Sequence, residues 1–264
     1  MEHYNASDLA NGFRNYFTVI PALSEELRQA TWRIRHEVYC RDLAWEPLRA
    51  DGMETDSYDA TSVACLMRTT GTGAPVGCVR LILADPQQLQ RLWPMEVACA
   101  GVLDFAMVDW PRERSDTAEV SRLAVTREFR RRKGEAQQPL ALTDDDFGDK
   151  TRVRFPYIPV GLFMGVSAMA EILGLQKLLM LAEPRLVAHL GKLGFRVKII
   201  GSGVDHHGLR VPAVIDQTNL LDHMHPVIHE IWQHIRFLMT EAWASAPTHE
   251  KQRLAVGSHQ AQVR

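Results

Sequence analysis

The sequence has 264 residues, of which 46% are hydrophobic and 23% are charged, so it can bury a full core and lacks the composition of a disordered chain. Its formal net charge of −2 excludes a global electrostatic attraction to nucleic acid or to an anionic membrane. No apolar run approaches the roughly 20 residues that a membrane-spanning helix needs. The four cysteines have no C-x-x-C spacing, which indicates reduced thiols. We therefore expect a cytoplasmic protein with no membrane span and no nucleic-acid partner.

The N-terminal half predicts a strand, a helix and a β-hairpin. Residues 16–23 have the apolar, β-branched composition of a strand. Ser24 follows as an N-cap, and apolar residues at helical spacing continue to about Cys40. The apolar runs 61–67 and 76–83 flank the turn-rich TTGTGAP, which indicates a hairpin.

The C-terminal half predicts a helix-to-strand crossover and a long final helix. The predicted elements are a helix over 159–173 that stops at Gly174, a strand over 177–182, a helix from Pro184 to Gly194, strands over 196–200 and 209–215, and a helix over 226–243 before a polar tail. Together with the first half, this order predicts one mixed α/β domain over residues 1–215, with a mostly antiparallel sheet flanked by helices. We expect a polar surface insertion at about 127–156, and residues 216–264 packed on the domain or extending from it.

Charged residues interrupt two strands that are otherwise apolar. Glu119, Ser121 and Arg122 lie within AEVSRLAV, and Arg80 lies within VGCVRLIL. Burying such groups costs several kcal/mol, on the order of the whole stability margin, unless they are paired or used. An ion pair at a sheet end, or an arginine reaching water from an edge strand, is the structural alternative. In a regular strand Glu119 and Arg122 point to opposite faces, so we expect a β-bulge that brings both to one side and frees a backbone N–H.

Eight residues resemble, in order and spacing, the signature of the autoinducer synthase family, the enzymes that make N-acyl-homoserine lactones. The signature runs Arg, aromatic, Trp, two aspartates, Arg-Leu and Glu-x-Ser-Arg, and this chain supplies Arg35, Tyr39, Trp45, Asp56, Asp59, Arg80, Glu119 and Arg122. The resemblance covers roughly residues 15–215. It implies the GNAT (N-acetyltransferase-like) fold, a thioester donor on the phosphopantetheine of an acyl carrier protein or of CoA, an amine acceptor, and no bound cofactor.

Several departures make the chain more similar to a neighbouring branch. Tyr39 replaces the usual Phe, Leu123 follows Ser-Arg where Phe is usual, and FRRR follows SRLAV. These features resemble N-acyl amino acid synthases and the acyltransferases associated with PEP-CTERM/exosortase systems. The expected acceptor is therefore an amino acid amine. A homoserine lactone synthase that uses S-adenosylmethionine and a non-catalytic acyl-binding module remain alternatives.

An ordinary acetyl-CoA-dependent enzyme fits less well. Residues 131–136 match the R-x-x-G-x-A motif that wraps a pyrophosphate, but a Gln-Gln-Pro run and an acidic stretch follow where a helix should begin. Leu190 also stands where the proton-donating tyrosine of such enzymes belongs.

The resemblance and the chemistry assign roles to these residues. Glu119 is the expected general base that takes the proton of the acceptor amine, and Arg122 is the second residue expected at the catalytic centre. Arg80 and Arg122 either bind an acceptor carboxylate or pair with nearby acids. The expected substrate-binding residues are Arg35, Tyr39, Trp45, Asp56, Asp59, Arg80 and Ser121.

Three further features have both a functional and a structural interpretation. Arg130, Arg131, Arg132 and Lys133 form either a dock for an acidic carrier protein or a solvated loop. The helical positions Leu162, Phe163, Val166, Met169 and Leu173 line either an acyl-chain tunnel or the plain core. The histidines at 206, 207, 223, 225, 229 and 234 have no metal-ligand spacing with acidic or Cys partners, so we expect no metal site.

Overall fold

The computed structural model describes residues 5–104, 106–107, 114–130 and 156–255. A mixed sheet forms its centre. The strands are β1 Phe17–Pro21, β2 Ser62–Thr69, β3 Pro75–Leu83, β4 Thr117–Val125, β5 Lys177–Ala182, β6 Arg196–Ile199, β7 Val204–Asp205 and β8 Leu209–Asp216. They lie in the order β1-β2-β3-β4-β5-β8-β6, and β7 pairs with β8. Within the described chain only β4 and β5 pair in parallel. The prediction of a mixed, mostly antiparallel sheet is confirmed.

Helices cover both faces of this sheet. They are α1 Ala6–Tyr16, α2 Glu25–Arg35, α3 Pro94–Ala98, α4 Tyr157–Ile172, α5 Pro184–Lys192, α6 Leu220–His223, α7 His229–Ala244 and α8 Thr248–Ala255. The predicted cap of α2 is confirmed, because the Ser24 hydroxyl accepts a hydrogen bond from the Leu27 N–H at 3.3 Å. The α-helix ends at Arg35, however, and continues as a π-helix over His36–Asp42.

The strands direct alternate residues to two separate clusters. On β2, Cys65 and Met67 belong to the main core beneath α4, whereas Leu66 packs with the residues of α2. α4 lies close enough to the sheet that a Cβ on Gly165 would stand 2.8 Å from Val19 Cγ1. The same alternation turns Arg80 and Glu119 away from this core, because their sequence neighbours point into it.

The C-terminal residues pack on the domain more extensively than predicted. The final long helix starts with a 3-10 turn over Pro226–Ile228, continues as α7, and packs against α4 and β1. Residues expected in a polar tail form α8, whose Leu254 is fully buried. Helix α1 was not predicted, although Leu9, Ala10 and Phe13 bury one of its faces. Most of the predicted insertion, residues 131–155, lies outside the described residues.

The four cysteines are buried and free, as predicted. In the described part of the chain, no helix combines the length and the apolar character that crossing a bilayer requires.

Candidate functional site

Strand β4 diverges from its neighbours halfway along its length. Its parallel pairing with β5 covers Thr117 to Val120 and then stops. On its other side, Ser121 pairs with Arg80 and Ala124 pairs with Cys78, so that Arg122 and Leu123 both stand opposite Val79. This extra residue is the predicted β-bulge, and Arg122 has a left-handed φ of 51° there.

Glu119 lies just before the bulge and is almost completely buried, with 3% exposure. Its Oε2 accepts a hydrogen bond from the backbone N–H of Met95, at 2.9 Å, in the first turn of α3. Burial raises the pKa of Glu119 to about 8, although the Met95 N–H and the charge of Arg80 act in the opposite direction. The pKa of this carboxyl is therefore close to that of an α-amine, so the two groups titrate in nearly the same pH range.

Arg35 and Arg80 form the buried part of a charge network beside Glu119. Arg35 donates to Asp59 at 2.6 and 3.1 Å and also to Glu54. Arg80 donates to Asp56 at 2.6 Å, to Asp59 at 2.9 Å and to the Ser121 hydroxyl at 3.0 Å. Burial opposes the ionisation of Asp56, but the hydrogen bond and charge of Arg80 outweigh it and lower its pKa to about 2. Burial also opposes the ionisation of Asp59, but the hydrogen bond and charge of Arg35 lower its pKa, so both aspartates are ionised at neutral pH.

Arg122 extends the network toward solvent. Its guanidinium donates to Glu46 at 3.0 Å and to Glu54 at 3.1 Å, and it lies 5.5 Å from the centre of the Tyr39 ring. The Tyr39 hydroxyl in turn donates to the carbonyl of Leu123 in the bulge, at 2.9 Å.

Three guanidiniums thus meet four carboxylates, and the network has a surplus of one negative charge. The acids are Glu46, Glu54, Asp56 and Asp59. Of the two predicted roles for Arg80 and Arg122, pairing with acids is the one that the contacts favour. Glu119 itself accepts its hydrogen bond from a backbone N–H.

A cavity of about 390 Å³ opens where β4 and β5 separate. Of the nine residues of the predicted catalytic and substrate-binding set, seven line it: Tyr39, Trp45, Asp56, Arg80, Glu119, Ser121 and Arg122. Arg35 and Asp59 stand behind this surface and hold Asp56 and Arg80 in place. The structure therefore brings the whole predicted set together.

Apart from Phe163, the residues of the opposite wall had no predicted part in the site. This wall is formed by Met180, Ala182, Arg185, Leu186, Phe163, His206, His207 and Arg210. His207, which has a left-handed φ of 54°, stacks on Trp45 with ring centres 4.4 Å apart and planes 9° apart. This stack bridges the cavity from the β7–β8 hairpin to the segment after the π-helix. Both histidines are exposed, as their Gly-rich turn suggests, and the pairing of β7 with β8 places them at the rim of the cavity.

The structure corrects the docking prediction for Arg130, and it distinguishes between the two interpretations given to the helical positions in α4. Arg130 does not belong to a docking surface, because it is 3% exposed and forms an ion pair with Asp42. Its predicted partners Arg131, Arg132 and Lys133 lie outside the described residues. Of the five helical positions proposed for an acyl tunnel, Phe163 alone lines the cavity. The others, Leu162, Val166, Met169 and Leu173, are buried in the main core.

No group of three or more His, Cys, Asp or Glu side chains that could hold a metal ion occurs among the residues that the structure covers. His207 stacks on an aromatic ring, and His229 Nε2 lies 2.9 Å from the carbonyl oxygen of Met224.

Comparison with known families places this arrangement in context. Residues 34–138, which include all eight signature residues, match the model of the acetyltransferase (GNAT) domain. The chain contains a GNAT-type acetyltransferase domain. The GNAT fold that the sequence resemblance implies is therefore confirmed.

Two relatives are homoserine lactone synthases. The isovaleryl-homoserine lactone synthase of Bradyrhizobium diazoefficiens is 28% identical over 123 residues, 44% of this chain and 56% of that protein. The acyl-homoserine-lactone synthase of Pseudomonas fluorescens is 31% identical over 104 residues, 38% of this chain and 52% of that protein. The chain thus spans about half the length of the curated relatives it matches.

Solved structures of such enzymes share the fold of the GNAT-type domain and its flanking elements. The acyl-homoserine lactone synthase LasI aligns with a TM-score of 0.52 at 17% identity, over 77% of this chain and 91% of LasI. The CoA-dependent synthase BjaI, solved with SAM and isopentyl-CoA, gives 0.54 at 20% identity, over 82% and 90%. FeeM, an N-acyl amino acid synthase from uncultured soil microbes, gives 0.50 at 16% identity, over 79% and 94%.

Proposed function

We propose that this protein is an N-acyltransferase that moves a fatty acyl group from an acyl-carrier-protein thioester to the amine of an amino acid. One observation carries the proposal: the buried carboxyl of Glu119, with its raised pKa, faces a cavity at the point where a bulge separates β4 from β5. Amine acylation needs these parts at one cavity: an acid, an opened strand and an adjoining charge network.

The proposed reaction is direct attack. The acceptor nitrogen attacks the thioester carbonyl carbon, a C–N bond forms, and the C–S bond then breaks to release the carrier thiol. Glu119, directly or through water, takes the proton that the amine loses, and this proton passes to the leaving thiolate. Backbone N–H groups at Arg122 and Leu123 are the candidate donors to the tetrahedral oxyanion, a contribution of about 3–4 kcal/mol per donor in enzymes of known mechanism.

The surplus negative charge of the network supports an amine-bearing acceptor. An ammonium group that approaches Asp56 and Glu46 is attracted, and it loses one proton to solvent before the neutral amine attacks. Arg80 and Arg122 therefore act as supports for the acids in this proposal. S-adenosylmethionine, which BjaI holds in its solved structure, also carries an amine and a positive charge, so homoserine lactone synthesis is the second candidate.

The second wall of the cavity supports a lipid-like donor chain. Phe163, Met180 and Leu186 present aliphatic and aromatic surface toward the opened strands. CoA thioesters present the same phosphopantetheine arm as carrier proteins, and CoA is the alternative donor. Arg131, Arg132 and Lys133 remain the proposed carrier dock, now without Arg130. The chain's four free, buried cysteines support a cytoplasmic location, and the resemblance to exosortase-associated acyltransferases remains part of the proposal.

Thiol release tests the proposal. The full chain is mixed with acyl carrier proteins loaded with acyl groups of several lengths, or with the matching acyl-CoAs, and with a panel of amino acids or S-adenosylmethionine. The release of free thiol is measured over time, and the products are identified by mass spectrometry. An N-acyl amino acid supports the proposal, and a homoserine lactone supports the second candidate. Acyl-chain binding without thiol release from any pair would overturn both and leave a non-catalytic binding module.

A further inference from the structure

Helix α8 contacts the outer side of the turn that carries Asp59. The Nη1 atom of Arg253 donates to the carbonyl oxygens of Ala60, at 3.2 Å, and of Ser62, at 3.0 Å. These carbonyls belong to the 3-10 turn Asp59–Thr61 and to the first residue of β2. The turn is therefore held from outside by Arg253 and from inside by Arg35 and Arg80.

Glu250 connects the same helix to α2. Its Oε1 accepts from Arg28 at 2.8 Å and its Oε2 accepts from Arg253 at 3.0 Å, while Glu250 itself is only 3% exposed. Arg28 lies on the helix whose last residue is Arg35, the main partner of Asp59. One buried carboxylate thus links α8 to both elements that support the charge network.

The attachment of α8 is also apolar. Leu254 is 1% exposed and belongs to the main core cluster. α8 lies outside the residues that match the GNAT domain model, which end at 138. Two of its polar side chains have partly buried contacts: Glu250 reaches α2, and Arg253 reaches the turn at 59–62.

We propose that Arg253 and Glu250 are positioning residues that fix the acceptor side of the cavity through the turn at 59–62 and through α2. They touch no substrate; they hold the backbone that carries Asp59, which in turn fixes Asp56 and Arg80 at the surface of the cavity. The kinetic part of this inference rests on the proposed function, while the structural part does not.

Two measurements on the full chain test this proposed positioning role. The variants are Arg253→Ala, Arg253→Lys and Glu250→Gln. Amide hydrogen exchange in peptides that cover 54–62 is expected to become faster in Arg253→Ala, because two carbonyl contacts to a charged donor are lost. The KM for the acceptor should rise about threefold to tenfold while kcat changes less, and Arg253→Lys should recover part of this loss. Arg236→Ala, which breaks the exposed pair of α7 with Glu171, is the matched control and should leave both measurements unchanged.

Exchange in 54–62 that equals the wild-type rate overturns the inference, whether or not the protein turns over any substrate. Faster exchange with an unchanged acceptor KM also overturns it, because α8 would then stabilise the fold without positioning the site. If no acyl donor and acceptor pair reacts, the proposed function fails, and the exchange arm still decides whether α8 holds the turn.

Discussion

The two walls of the cavity are built from different chemistry. The first wall, which comprises the π-helix with the segment after it, the segment 54–59, β3 and β4, contains charges that pair with one another and with Arg35 behind them. The second wall, which comprises Phe163 of α4, β5, α5 and the β7–β8 hairpin, combines apolar side chains with histidines and arginines. The first wall fixes a geometry, because each charge has a partner at a set distance. The second wall determines the volume and the shape of the cavity.

This difference separates the expected effects of mutations. A change in the first wall leaves a buried charge without its partner, so it should impair catalysis and stability together. A change in the second wall alters volume and shape, so it should alter the choice of substrate more than the rate of the chemistry.

The largest effect is expected at Glu119. Glu119→Gln keeps the shape and removes the proton acceptor, so kcat should fall by about 10²–10⁴ in the thiol-release assay. Glu171→Gln, an exposed carboxylate on α4, is the control for loss of a charge and should retain activity. A loss below about threefold in Glu119→Gln would mean that another group is the base.

Loss of Arg80 tests the stability of the first wall. Arg80→Ala leaves Asp56 without its buried partner and leaves Asp59 with Arg35 alone, so the free energy of unfolding should fall by about 3–5 kcal/mol in a denaturant titration. Breaking the exposed Arg236–Glu171 pair with Arg236→Ala should cost about 0–1 kcal/mol. Equal losses in the two variants would contradict the contrast between buried and exposed pairs.

A smaller and different effect is expected in the second wall. Phe163 lies at the base of the cavity, edge-on to Phe195 with ring centres 5.2 Å apart. Phe163→Leu should admit longer acyl chains and shift the ratio of kcat/KM between long and short donors by about tenfold. Val166→Ala removes core volume from the same helix without facing the cavity, so it should lower the melting temperature and leave this ratio unchanged.

The smallest effect is expected where the walls meet. His207→Asn keeps a residue that tolerates the left-handed backbone but removes the ring stacked on Trp45. A lost stack is worth about 0.5–1.5 kcal/mol, so the acceptor KM should rise about twofold to tenfold. His223→Asn, on α6 and away from the cavity, should have no effect. Equal KM values for the His207 variant and the wild type would show that the bridge does not enclose the acceptor.

The sequence was informative for the first wall because charge in an apolar strand is costly and therefore conspicuous. Arg80 and Glu119 were predicted in this way, and the odd spacing of Glu119 and Arg122 predicted the bulge that the register of β3 and β4 confirms. The predicted strands and the main crossover also agree with the structure, since their apolar runs end at clear turn residues such as Gly174.

The remaining features have no comparable local signal. Glu46 and Glu54 lie in a polar loop, where a carboxylate is normally solvated, and only the fold brings them to Arg122. His206 and His207 likewise depend on long-range strand pairing. Helix α8 is polar along most of its length, and its burial rests on partners nearly 200 residues away in the chain. Contacts of this kind arise from tertiary structure and cannot be deduced from local patterns.

The pH dependence of kcat/KM tests the central claim most directly. Because Glu119 must be ionised to accept a proton and burial raises its pKa to about 8, kcat/KM should rise with pH and level off above that value. The acceptor amine titrates in a similar range, so the profile is measured with two acceptors whose amines differ in pKa. The account predicts an ascending limb near pH 8 that is common to both acceptors and absent in Glu119→Gln, in addition to a limb that follows the pKa of each amine. A single limb that follows the pKa of the amine and persists in the variant would contradict it.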